Sequence, residues 1–117
     1  MLTLKIINKT SNITIAEKAI LADSFVSRLV GLLNRSSLPE GEALIITRCK
    51  SIHMFFMRFA IDAIFVDKNN HVVGLVNNIK PFQLSPIFIS SNYVIEAPVG
   101  TIVKAKVSIG DNIELQQ

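Results

Sequence analysis

Residues 49–67, CKSIHMFFMRFAIDAIFVD, gather more potential chemistry than any other stretch of the chain. They hold the only cysteine, one of two histidines, two of three methionines and four of seven phenylalanines. Cys49, His53 and Asp62 are the residue types of a nucleophile, a base and an orienting carboxylate. Arg48 and Lys50 flank the thiol, and neighbouring cations favour the thiolate. Four residues along an extended strand span about 13 Å, so Cys49 and His53 meet only if the chain turns between them. The plainer alternative, a small buried thiol beside a histidine bonded to backbone, ranks ahead of catalysis on that geometry.

Met54, Met57, Cys49 and His53 could also supply soft ligands to copper(I). Apolar stripes are mostly core, and methionine fills irregular gaps well, so core packing ranks ahead and no metal is expected. Arg58 and Asp62 interrupt the apolar run, and Glu96 sits between Ile95 and Ala97. A charge in such surroundings needs a partner or water. The three acids and bases form either a structural ion-pair network or the floor of a polar pocket, with Arg58 gripping a carboxylate or phosphate. His53, Met57, Arg58, Asp62 and Glu96 are therefore the candidate ligand-binding residues. Cys49, His53 and Asp62 are the candidate catalytic ones.

The elements that must position these residues are mostly short strands. Residues 2–7 alternate apolar and polar, the NKTSN cluster makes a turn, and residues 13–21 resume as a strand, together a hairpin. Asp23 can cap a helix. After it, Phe25, Leu29, Leu32 and Leu33 recur at helical spacing, predicting one short packed helix over about 24–33. Residues 43–47 form a short strand. A strand from 52 to 65 would be unusually long, so a break is expected near 58–60, followed by a strand over 63–67. DKNN then turns the chain into a hairpin partner over 71–77.

Residues 79–92 carry Pro81 and Pro86 and read as a loop. Its Phe82, Leu84, Ile87, Phe88 and Ile89 are too much apolar surface to leave in water, so Phe82, Leu84 and Phe88 are expected to pack inward. Strands over 93–97 and 113–115 close the chain. Residues 101–109 are ambiguous, because Val103, Ala105 and Val107 alternate as a strand would. The pattern predicts a mainly β single domain over 1–117, an antiparallel β-sandwich or partly closed barrel with one helix.

Composition bounds the function. The 117 residues are half hydrophobic and 18% charged, with a mean hydropathy of +0.45. No uninterrupted apolar run approaches the roughly 18 residues of a spanning helix. One cysteine and two histidines are too few for a structural zinc site, and no cofactor motif is present. The formal charge is +3, with basic residues scattered along the chain, so no specific nucleic-acid partner is expected. The N-terminus shows no signal-peptide pattern, and cytoplasmic residence is the expectation.

ADSFVSRLVGLLNRSSL at 22–38, the central block at 49–67, and VIEAPVG followed by IGD resemble the small prokaryotic proteins grouped as domain of unknown function 192. The order and spacing of the blocks match across nearly the whole chain, although the family usually has proline where this chain has Ala60. The resemblance implies a compact, mainly antiparallel β fold with a short helix. It also implies a helical turn over 101–106, against the alternation read there. It supplies no activity. The expected function is a non-enzymatic binding or accessory module for a small molecule or protein, with its site between the central block and the 79–92 loop. The alternative is a small hydrolase or transferase using Cys49, His53 and Asp62.

Overall fold

A computed structural model describes residues 3–22, 37–55 and 57–117. Seven strands run in the order β1 (Thr3–Asn8), β2 (Ile13–Ala22), β3 (Glu42–Thr47), β4 (Ile61–Asp67), β5 (Val72–Ile79), β6 (Ser91–Ala97) and β7 (Ile113–Gln116), with a short helix α1 (Thr101–Lys104) before β7. The helix expected over 24–33 lies outside the described residues.

All seven strands join one sheet in the order β5-β4-β6-β3-β2-β1-β7. Neighbours are antiparallel except β2 and β3, which run parallel. Parallel neighbours need a long crossover, and the chain between Ala22 and Glu42 supplies it. The sheet then curls until its two ends meet. Val72 N–H donates to Asp111 O at 2.9 Å, Gly110 N–H to Val72 O at 2.8 Å, and Ile113 N–H to Asn70 O at 2.8 Å. The seam covers only the start of β5, so the barrel is partly closed.

Local chemistry explains the turns. Asn12 at φ 60° and Asn70 at φ 65° occupy the left-handed region that asparagine tolerates. In the β4–β5 turn, Asp67 Oδ1 accepts from Asn69 and His71 N–H, both at 2.9 Å. At the end of β1, Asn8 is fully buried. Its amide donates to Ala105 O at 3.1 Å and to Asp111 Oδ2 at 3.0 Å, while its Oδ1 accepts from Thr10 N–H at 3.1 Å. One side chain thus ties the first hairpin to the C-terminal segment.

The continuous apolar reading of β4 reflects burial on both faces. Ile64 and Val66 point into the barrel with Ile45 and Ile95, where α1 contributes Ile102. Ala63 and Phe65 point outward, against Leu44, Ile46 and Val94. The central block crosses this outer face and covers it with Ile52, Met54 and Met57. The chain bends at 58–59 before entering β4, which is the expected break.

Residues 101–104 are helical, as the resemblance implied, and the alternating strand reading is corrected. Val103 is 74% exposed while Ile102 and Ala105 are buried, a helical and not a period-two division. The deciding contact comes from far along the chain. Asp62 Oδ2 accepts from the Gly100 N–H at 3.1 Å and the Ile102 N–H at 3.0 Å.

Candidate functional site

Asp62 is fully buried, and backbone amides engage both of its oxygens. Besides the two at the start of α1, the Asn78 N–H donates to Oδ1 at 2.9 Å. Three N–H donors satisfy a buried carboxylate without a counter-charge. Asp62 is therefore a brace between β4, the end of β5 and α1, and it makes no bond to His53 or Arg58. Arg58 lies exposed on the bend before β4. Among the described residues it forms no ion pair, so the expected Arg58–Asp62 network is corrected. A flexible arginine on a bend reaches water at less cost than it reaches the core.

Glu96 is fully buried, opposite Leu44 on β3 and Ala63 on β4. Met57 is 4% exposed and packs with the outer cluster. Cys49 is half-buried, with its thiol donating to Ser51 O at 3.1 Å. His53 is half-buried and stacks on Phe55, ring centroids 4.9 Å apart. Asp62, bonded to three backbone amides, does not orient His53 in a Cys49–His53–Asp62 constellation. Among the described residues no group of three or more His, Cys, Asp or Glu is placed to hold a metal ion.

What the fold does assemble is a ribbon. Residues 50–55 run beside 82–88, with His53 bridged to Leu84. Met54 N–H donates to Gln83 O at 2.9 Å, Phe82 N–H to Met54 O at 2.8 Å, Ser85 N–H to Ile52 O at 2.9 Å, and Phe88 N–H to Lys50 O at 2.8 Å. The Ser85 hydroxyl accepts from Ile52 N–H at 2.9 Å. The inner side of the ribbon carries Ile52 and Met54, both buried. Phe88 also turns inward, meeting Phe65 at 4.5 Å between ring centroids. Its ring lies on Gly74, where an added Cβ would come within 2.5 Å of it.

The outer side is apolar as well. Phe55 is 40% exposed, Phe82 and Leu84 67%, Ile87 71% and Ile89 79%. The expectation that the 79–92 segment packs inward holds for Phe88 and is corrected for Phe82 and Leu84. In an extended segment neighbouring side chains face opposite ways, so seating Phe88 turns Ile87 out, and Ile89 projects from the turn closed by Ser91 N–H donating to Phe88 O at 2.9 Å. That alternation was a usable sign in IFI, as was the lack of any acid in residues 48–60 and 79–92, which carry Arg48, Lys50, Arg58 and Lys80.

A separate shallow cleft of about 180 Å³ lies between β2, residues 40–41 and α1. The exposed Lys104–Glu40 ion pair borders it, and Lys104 holds the Glu40 carboxyl below its usual range. None of the sequence-derived site residues lines this cleft.

The DUF192 family model, described as an uncharacterized ACR, matches residues 6–115. A UPF0127 protein of Pyrococcus abyssi is 36% identical, covering 93% of this chain and 95% of its own length. One from Pyrococcus horikoshii is 35% identical over 93% of this chain and 96% of its own. Two crystal structures share the fold. A protein of unknown function from Novosphingobium aromaticivorans superposes with a TM-score of 0.77 at 21% identity, covering 97% of this chain and 84% of that one. A Sinorhizobium meliloti protein, described as a proposed transcription regulator, gives a TM-score of 0.77 at 22% identity, covering 97% and 92%. At such identities these two likenesses speak to the fold alone.

Proposed function

We propose, from the premise that this chain belongs to the DUF192 (UPF0127) family, that it is a non-enzymatic binding module. It docks its partner on the outer face of the ribbon formed by residues 50–55 and 82–89. One observation carries this reading. The ribbon backbone is held by reciprocal hydrogen bonds while Phe82, Leu84, Ile87 and Ile89 each expose two thirds or more of their surface. Single exposed hydrophobics are ordinary, but a fixed group of them marks an interaction surface. Five of the eight exposed large hydrophobics among the described residues lie on these two segments.

In this reading His53 and Arg58 contact the partner, His53 from the centre of the face and Arg58 from its edge. Met57 packs in the cluster beneath the ribbon, while Asp62 and Glu96 are buried on strands of the barrel and do not reach the partner. A photo-crosslinking side chain at Leu84 in intact cells tests the proposal, with the same side chain at exposed Glu17 as control. An adduct of discrete mass at Leu84 alone, whether with protein or lipid, is the expected result. No adduct beyond the control would remove the docking face.

A further inference from the structure

We infer that the occupant of this face is an anionic lipid surface, a deepening that rests on the docking reading above. The apolar group has a rim of one sign. Arg48, Lys50, Arg58 and Lys80 are all exposed, and residues 48–60 and 79–92 contain no acid. Lys50 meets the ribbon through its side chain, Lys80 adjoins it through its backbone, and Arg48 and Arg58 flank residues 50–55 along the chain. Lys50 Nζ donates to Ile89 O at 2.5 Å, and Gln83 N–H donates to Lys80 O at 3.1 Å across Phe82. Exposed Phe, Leu and Ile beside Lys and Arg are what an interfacial segment presents to a bilayer. The apolar side chains enter the headgroup–acyl boundary and the cations meet anionic headgroups.

Three features separate this occupant from others. A groove that recognises a peptide shields its own lining, whereas side chains 67–79% exposed stand proud of the surface. A two-fold contact between copies would set the same cationic rim against itself, which like charges oppose. Phe55 and Phe82 offer planes for base stacking, but the two most exposed side chains of the face, Ile87 and Ile89, are aliphatic. Pairing within the ribbon also satisfies part of the backbone that would meet the headgroup region. The N–H groups of Ile52, Met54, Phe82, Ser85 and Phe88 all have protein acceptors.

Sedimentation of the full chain with vesicles tests this. Phosphatidylcholine vesicles containing phosphatidylglycerol should bind it, pure phosphatidylcholine should bind it far more weakly, and about 0.5 M salt should reduce the anionic binding. Those arms use the wild-type chain and depend on no variant folding. Combining Lys50→Gln with Lys80→Gln should weaken anionic binding about 25-fold, from roughly fivefold per cation. Leu84→Ser with Ile87→Ser should weaken it more than tenfold. Absence of anionic binding, or binding indifferent to salt and to both charge changes, would overturn the lipid assignment. A protein adduct at Leu84 without vesicle binding would overturn it too and leave the docking face standing, while neither signal would remove both.

Discussion

Asp62 and Arg58 lie in the same apolar run and end in opposite environments. The carboxylate is fully buried and accepts three backbone N–H bonds, whereas the guanidinium is exposed. Asp62→Asn would keep the shape but replace one acceptor oxygen by an amine, which then faces a backbone donor. Leaving a buried donor without its acceptor and losing charge-assisted bonds should destabilise the fold by about 3 kcal/mol. Arg58→Met should change stability by no more than about 0.5 kcal/mol, as surface substitutions do. Urea unfolding of both variants checks the pair of expectations. Equal losses would mean that Arg58 supports Asp62 after all.

At the scale of elements, the 79–92 segment is held to the barrel by one inward ring as well as by its hydrogen bonds. Phe88 reaches Phe65 only because Gly74 on β5 leaves the space for it. Gly74→Ala places a methyl group against that ring and should destabilise the protein by about 1–3 kcal/mol, the range for overpacking. The same change should cost less in a Phe88→Ala background, since contacting residues are not additive. Limited proteolysis between Lys80 and Asn92 should also quicken in Gly74→Ala while the wild-type ribbon resists. An unchanged melting temperature and cleavage rate would mean that Phe88 does not fasten the segment.

For the whole molecule, barrel closure is coupled to the one tyrosine. Tyr93 O–H donates to Asn70 Oδ1 at 2.9 Å, and the Asn70 carbonyl accepts Ile113 N–H across the seam. Burial, with a smaller contribution from the nearby Asp67 charge, pushes the phenol above its ordinary range. The folded state then keeps a proton that the unfolded chain gives up near pH 10, so unfolding releases a proton in that window. The ionisation of Tyr93 should leave stability independent of pH below about pH 10 and lower it as pH rises beyond that. Denaturant titrations across alkaline pH, compared with Tyr93→Phe, isolate this slope. The ultraviolet difference spectrum of the native protein reads the same ionisation directly, and a phenol titrating near pH 10 would refute the coupling.

The strands were legible in the sequence because period-two alternation and turn chemistry are local. Leu4, Ile6 and the NKTSN turn predict the first hairpin, and DKNN predicts the β4–β5 hairpin. The break before β4 was legible too, since a continuous strand would have been too long. Alternation says that neighbouring side chains face opposite ways, but not which side will be covered. For Ile87, Phe88 and Ile89 that was decided by the space above Gly74 and by the ring of Phe65, both far away along the chain. The same reason separates Asp62 from Arg58. A charge in an apolar run must be satisfied, but whether by a counter-ion, backbone amides or water depends on what the fold brings alongside. Only the tertiary structure set Gly100 and Ile102 N–H groups beside Asp62 and left Arg58 on an open bend.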